Sequence, residues 1–357
     1  TSTDVVQVGD EILDRGDYSG PGGARMALRD NRVEIACLEV ARGGILRRGL
    51  ATRRARVAVV TNIANDHLGE YGIATLADLT QAKFAVARAL SADGILVLNA
   101  DDPNIVEASK TVTATICWFS LDEASPQITK ARALGLPCAF LQKDALVFSA
   151  EPDRSWTIAL DSVPITLSGA AKHNTRNALA AICACTALGI SDKVIQAGLS
   201  TFVSDPKNNP GRFNEFSYNG ARVIVDFAHN AHSIAAVCDA TALMPAKRRF
   251  LMLSQPGDHS DQVIDEVTTT ALQFRPDLIV VAEIADYLRG RSLGVVPSVI
   301  HASAIAAGVS ADHVLPASSP TVGAKMILEQ MQPDDLALLL VLSEREAVFQ
   351  TLEDAQQ

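Results

Sequence analysis

Short apolar strands alternating with amphipathic helices predict an α/β protein of two parallel-sheet domains. Three observations carry the expectation. From residue 221 onward the alternation is regular: Ala221 to Val225, Ser233 to Ala242, Arg249 to Leu253, Asp261 to Phe274, Leu278 to Val281, Ser298 to Ala307 and Leu336 to Leu342. Strands and helices of these lengths imply a doubly wound sheet, Rossmann-like in layout. In the first half, the strand-like runs Ala36 to Val40 and Val57 to Thr61 end near Glu39 and His67, polar groups of the kind that line ligand sites at the carboxyl ends of parallel strands. Between the halves, Asp205-Pro206-Lys207-Asn208-Asn209-Pro210-Gly211 is polar and rich in turn formers. The boundary is therefore set there, with domains over 1–206 and 207–357, a size that suits two ordinary domains.

Composition narrows the function classes. With 48% hydrophobic and 20% charged residues the 357-residue chain is globular, and a formal charge of −10 argues against a nucleic-acid footprint. No apolar run of membrane-spanning length and no secretory leader are present, which predicts a soluble, cytoplasmic protein without a membrane partner. The six cysteines (Cys37, Cys117, Cys138, Cys183, Cys185, Cys238) lack zinc-type spacing and read as reduced, mostly core residues. No Gly-x-Gly-x-x-Gly occurs, so a dinucleotide is not indicated.

Taken in order, Val5 to Glu11 is a short strand and turn, and Gly20-Pro21-Gly22-Gly23 is a tight turn before a helix over Ala24 to Asp30. The stretch from Arg42 to Arg56 is strongly basic. It is either a solvated loop or a segment in which Arg42, Arg47 and Arg48 hold substrate carboxylates through bidentate hydrogen bonds. Ile73 to Leu90 has the apolar spacing of an amphipathic helix and carries Lys83 in its middle. A carboxylate (Glu39), an imidazole (His67) and a lysine (Lys83) near two strand ends suit a divalent-metal and phosphate site. Each alone has a blander reading as a solvated charge or a loop hydrogen bonder. Gly94 to Leu98 is the next strand, and Asn99-Ala100-Asp101-Asp102-Pro103 reads as a turn and N-cap. Short strand-like runs follow at Thr115 to Phe119, Ala145 to Phe148, Trp156 to Leu160 and Val163 to Leu167. Thr175 to Leu188 and Ser191 to Phe202 are helical, with Asn174 placed to cap the first.

Gly16-Asp17-Tyr18-Ser19-Gly20-Pro21, Leu38 to Leu50 with its Arg-Gly-Gly-Ile-Leu-Arg-Arg-Gly core, and Thr61 to Gly69 together resemble the Mur ligase family. Within it they are similar to the branch formed by the Mur-ligase-like half of cyanophycin synthetases. The resemblance runs over nearly the whole chain. It implies a central domain of the P-loop NTPase type, cut short at its N-terminus, followed by a Rossmann-like C-terminal domain. It also implies an ATP-dependent, cytoplasmic ligase that joins an amino acid to a carboxylate through an acyl phosphate. Glu39, His67 and a carbamoylated Lys83 would then hold Mg²⁺ in the catalytic centre. Pro210-Gly211-Arg212 and Asp226-Phe227-Ala228-His229-Asn230 match nucleotide motifs, giving Arg212, Asp226, His229 and Asn230 to ATP. Arg42, Arg47, Arg48, His173, Asn174, Arg289 and Arg291 fall at substrate positions. The partners implied are a small-molecule or peptide carboxylate acceptor and an amino acid, arginine or a similar one, and a homo-oligomer is compatible with them.

Three positions depart from the family pattern. Ala231 stands where proline usually follows His-Asn. Pro256-Gly257-Asp258-His259-Ser260-Asp261 lacks an arginine beside the aspartate. Ala282 to Asp286 matches weakly the acidic, lysine-bearing loop that precedes Arg-Gly-Arg. In the family a phosphate loop ending in Gly-Lys-Thr or Gly-Lys-Ser lies upstream, and no Gly-Lys dipeptide occurs in this chain, so the chain is expected to be inactive without such a segment. Two other readings compete: a non-catalytic Mur-fold binding or partner subunit, and a folylpolyglutamate-synthase-like glutamate ligase.

Overall fold

The computed structural model describes residues 1–64, 71–150 and 154–355. Its contacts divide the chain into two units, one made of Thr1–Ser162 and Asn174–Ser200, the other of Val163–His173 and Thr201 onward. The expected division at 206/207 differs from this in two segments, 163–173 and 201–206, both of which group with the second unit. Val163–His173 groups with the second unit because Ala171 is buried in that unit's core and Leu167 packs against it.

The first unit opens with an antiparallel hairpin, β1 (Val5–Val8) and β2 (Glu11–Arg15). Two short helices follow, α1 (Pro21–Arg29) and α2 (Arg42–Arg48). The expected turn at Gly20 to Gly23 is the start of α1, with Pro21 in the first turn, where its missing N–H costs nothing. Gly23 has no room for a side chain, since a Cβ would fall 2.6 Å from Tyr18. The basic stretch is not a plain loop either, because its first seven residues form α2. Residues 36–40, expected as a strand, pair with no sheet. They run beside the N-terminal residues through Thr1 N–H to Cys37 O (2.8 Å) and Glu39 N–H to Thr1 O (3.1 Å).

β3 (Ala55–Val60) then begins a six-stranded mixed sheet. Next come α3 (Leu76–Phe84), β4 (Leu90–Asn99), α4 (Pro103–Ser109), β5 (Thr115–Ser120), α5 (Pro126–Ala133), β6 (Cys138–Gln142), β7 (Ala145–Ala150) and β8 (Arg154–Ala159). Sheet order follows chain order, with β3 to β6 parallel and β6, β7 and β8 antiparallel. The expected long helix over 73–90 is shorter. Thr75 and Asp78 close a capping box that starts α3, and after Phe84 the chain tightens into a 3₁₀ turn over Ala85–Ala89 before β4. Residues 163–167, expected as a strand, are 3₁₀ turns, with Leu167 and Ser168 at φ of 50° and 54°. Helices α6 (Lys172–Ala187) and α7 (Asp192–Thr201) follow. Asn174 lies inside α6, so it is not its cap.

The second unit contains β9 (Asn214–Tyr218), β10 (Ala221–Asp226), α8 (Ala231–Ala242), β11 (Arg249–Leu253), α9 (Asp261–Ala271) and β12 (Leu278–Ala282). It continues with α10 (Val295–Ala306), β13 (Val314–Ala317), α11 (Pro320–Leu328), β14 (Leu336–Leu340) and α12 (Arg345–Asp354). Its sheet runs β13-β12-β11-β14-β10-β9, parallel except for the antiparallel edge β9. Helices α8, α9 and α10 bury one face, with Ile224, Leu251, Ile279 and Leu338. Helices α11 and α12 bury the other, with Val223, Met252, Val280 and Leu339. All five residues of β14 are buried, which explains its uninterrupted apolar sequence. Among the described residues no helix is long and apolar enough to cross a membrane.

Candidate functional site

In the second unit the expected nucleotide residues come together at the carboxyl end of β10. Asp226 closes that strand with its side chain buried. One oxygen accepts Phe213 N–H (2.8 Å) and the other Ala228 N–H (2.7 Å). Phe227 N–H returns to Gly211 O at 2.9 Å, so the Pro210-Gly211-Arg212 turn and the 226–230 loop form one structure. The turn needs its glycine. Gly211 has φ of 71°, and a Cβ would lie 2.9 Å from Arg345 Cδ. The Arg212 guanidinium stacks on the Phe227 ring at 5.0 Å, and the His229 ring meets the same phenyl edge-on at 5.4 Å. Asn230 serves α8, its side chain accepting Ser233 N–H at 2.9 Å in a capping box. Burial pushes the Asp226 carboxyl up to about 6, against the opposing pull of its backbone donors and of the Arg212 charge. A buried carboxylate at a parallel strand's end, beside an arginine, can accept hydroxyl hydrogen bonds while the arginine binds phosphate oxygens.

His173 stacks against Phe213, with ring centroids 6.4 Å apart. Arg289 and Arg291 also come together, but on the protein itself. Arg291 donates from Nε to Gly257 O (2.8 Å), from one terminal nitrogen to His259 O (2.5 Å) and from the other to Asp261 (2.6 Å). Arg289 pairs with Asp258 at 2.5 Å and stacks on Tyr287. The loop they hold cannot carry a side chain at 257, where a Cβ would sit 2.0 Å from Leu288 O.

Sequence reasoning missed Gln255, which follows β11 and is 2% exposed, with Oε1 2.8 Å from His259 Nδ1 and Nε2 without a partner. It also missed Glu283, which follows β12 and whose carboxylate accepts Ile284 N–H and Gly294 N–H. A polar residue within two positions of the end of an apolar strand was the signal available for both.

In the first unit the expected metal residues are placed differently. Glu39 is exposed, and each of its oxygens accepts a 2.8 Å hydrogen bond from Thr3, one from N–H and one from the hydroxyl. Lys83 Nζ, half-buried on α3, donates to Asn62 O at 3.2 Å. His67 lies outside the described residues. The residues leading toward it are firmly tied, with Asn99 Nδ2 donating to Thr61 O (2.9 Å) and Asp102 accepting Ile63 N–H (2.6 Å) while capping α4. Among the described residues no group of three or more His, Cys, Asp or Glu is arranged to hold a metal ion.

Arg42 and Arg47 on α2 both lie over the Tyr71 ring, at 5.8 and 5.5 Å, and Arg48 is exposed in the last turn of that helix. Asn174 lies near Asn177 on α6. The thiols also divide. Cys37, expected with the core cysteines, is exposed because its segment is not a strand, and Cys117, Cys138, Cys183 and Cys238 are buried.

Residues 24–185 match the Mur ligase middle domain, and residues 211–342 match the Mur ligase, glutamate ligase domain. The cyanophycin synthetase of Geminocystis herdmanii is 34% identical over 317 residues, covering 88% of this chain and 36% of that protein. The cyanophycin synthetase of Synechocystis sp. is 36% identical over 298 residues, covering 82% and 33%. The chain therefore spans about a third of the length of these relatives. Among solved structures, MurF from Acinetobacter baumannii matches with a TM-score of 0.58 at 19% identity, covering 84% of this chain and 60% of that one. E. coli FolC in complex with DHPP and ADP matches with a TM-score of 0.59 at 17% identity, covering 85% and 63%. Both likenesses concern the fold.

Proposed function

The chain belongs to the Mur ligase family, and on that premise we propose that it carries the amide-forming part of an ATP-dependent ligase of the cyanophycin synthetase kind. Such a ligase joins an amino acid, arginine or a similar one, to an aspartyl-type carboxylate. The observation that carries the reading is the single structure formed by Pro210-Gly211-Arg212 and Asp226 to Asn230. There a buried carboxylate and a stacked guanidinium stand at one strand end. The FolC structure above and a MurF structure from Thermotoga maritima each contain ADP, which supports a nucleotide as the co-substrate.

In this reading the acceptor carboxylate attacks the γ-phosphorus of ATP and ADP leaves. The amine of the amino acid then attacks the acyl phosphate, phosphate departs, and the amine loses a proton as the amide forms. The first step is needed because a carboxylate oxygen is a poor leaving group until phosphorylated, and phosphoryl transfer depends on positioning and charge neutralisation. Asp226 orients the nucleotide through a ribose hydroxyl and Arg212 through phosphate oxygens, with His229 and Asn230 shaping the loop between them. Glu39, His67 and a carbamate on Lys83 would hold Mg²⁺, which supplies charge neutralisation at the phosphates. The exposed, hard carboxylate of Glu39 suits that ion. A carbamoylated Lys83 retains one Nζ–H for the Asn62 carbonyl. Arg42, Arg47 and Arg48 supply the positive charge that an acidic acceptor requires.

The test is calorimetric titration of Mg–ATP into the full-length protein that carries this chain, followed by phosphate release across the twenty amino acids with an aspartyl peptide supplied as acceptor. Binding by the wild type, at least about tenfold weaker binding by Asp226→Ala, and phosphate release with one amino acid are expected. Wild-type protein that fails to bind nucleotide would sink the ligase reading.

A further inference from the structure

The sheet of the second unit changes direction between β11 and β14. The helix after β11, α9, packs on one face, whereas the helix after β14, α12, packs on the other. In open parallel sheets the crevice left outside the carboxyl ends of two such strands is where ligands bind. Ser254 and Gln255 lead out of β11 at this point, and Ser254 Oγ reaches Leu340 O of β14 at 3.4 Å.

An amino-acid substrate brings a carboxylate, which needs hydrogen-bond donors. The two arginines expected to supply them spend donors on the protein itself. All three guanidinium nitrogens of Arg291 bind the 257–261 loop, and Arg289 is paired with Asp258. Glu283 and Asp226 can only accept when ionised. Gln255 differs from all of these. Its Oε1 lies 2.8 Å from His259 Nδ1 and accepts from it in the Nδ1-protonated tautomer, and its Nε2 is a buried donor with no partner. A buried donor left unsatisfied carries a desolvation cost, which a ligand acceptor would relieve.

We propose that Gln255 is the residue that receives the carboxylate of the incoming amino acid, its Nε2 donating to one carboxylate oxygen. Arg289 and Arg291 are then positioning residues that hold the 257–261 loop, and through His259 they hold Gln255. The inference rests on the ligase reading above.

The test uses steady-state ADP formation by the full-length protein with an aspartyl peptide as acceptor and its selected amino acid, together with calorimetric binding of that amino acid. Gln255→Met removes the donor at similar volume. Gln255→Glu keeps an acceptor for His259 and opposes a carboxylate with like charge. Both are expected to raise the amino-acid KM by roughly tenfold to a hundredfold, Gln255→Glu the more, while the KM for ATP stays within about twofold. A variant that melts like the wild type and keeps its amino-acid KM overturns the assignment and leaves the ligase reading standing. If neither variant folds, the wild type still decides, because a decarboxylated amine analogue that binds as tightly as the amino acid also overturns it. Wild-type protein that, with an aspartyl peptide supplied as acceptor, neither forms ADP with nor binds any of the twenty amino acids overturns both.

Discussion

Asp226 combines two demands that oppose each other. Its oxygens must be fixed by the Phe213 and Ala228 amides to hold the 211–213 turn, yet burial makes the charged form costly and pushes the carboxyl up to about 6. A raised carboxyl stabilises the folded state fully below its ordinary 3.8, and that contribution is lost as pH rises through about 6. Stability is therefore expected to fall by on the order of 3 kcal/mol between about pH 4 and pH 6 on account of this residue. Asp226→Asn should flatten the change, as measured by urea denaturation at stepped pH. An unaltered slope in Asp226→Asn would assign the change to other groups. Gly257 shows the same local economy without charge, since no side chain fits against the Leu288 carbonyl and the loop bearing His259 depends on that close approach.

Capping carries much of the first unit's order. Asp102 accepts Asn104 N–H and Ile105 N–H at the start of α4, and its second oxygen holds Ile63 N–H in the loop after β3. Asp102→Ala should cost about 2 kcal/mol, roughly 1 for the cap and the rest for the buried Ile63 amide left unpaired. Tryptophan emission during thermal denaturation would read this loss, because both tryptophans, Trp118 and Trp156, belong to the first unit. A melting temperature unchanged by the substitution would show that the loop does not depend on this carboxylate. The Asn-Ala-Asp-Asp-Pro cap could be read directly from the sequence, as could β10, β11 and α8, where apolar runs are bounded by polar strand ends or a capping asparagine. Residues 36–40 could not. Ala-Cys-Leu-Glu-Val fits the period of a strand, but a strand pattern specifies extended backbone without naming a partner, and this segment hydrogen-bonds to Thr1 and Thr3 and joins no sheet. The helix expected over 73–90 came out shorter because the capping box starts it only at Leu76 and, although apolar spacing continues past Phe84, Ala85–Ala89 tighten into a 3₁₀ turn that leads into β4. Of the candidate site, the approach of Arg212 to Asp226 was legible because each residue sits in a motif. Gln255 was not, since a single glutamine after a strand has no periodicity, and its orphaned amide is visible only in three dimensions.

Each unit has its own core, so each can be probed separately at the scale of the whole molecule. Leu338, fully buried at the centre of β14, packs with the layer under α8 to α10. Leu338→Ala should cost about 2–5 kcal/mol, the range for deleting a buried leucine from a well-packed core. The far-UV circular dichroism midpoint should shift more than the tryptophan midpoint, because the second unit has no tryptophan. Equal shifts by both probes would mean that the two cores melt as one. The sheet order has a further consequence for how this unit comes into being. β10 and β11 are made early and lie on either side of a gap that β14 fills more than eighty residues later. A ribosome that has delivered both strands has not yet delivered the wedge between them, so neither apolar face can close during most of the unit's synthesis. The crevice at the ends of β11 and β14 is thus assembled last, and a nascent chain halted before Leu336 would present chaperones and proteases with two halves of a sheet and no binding edge.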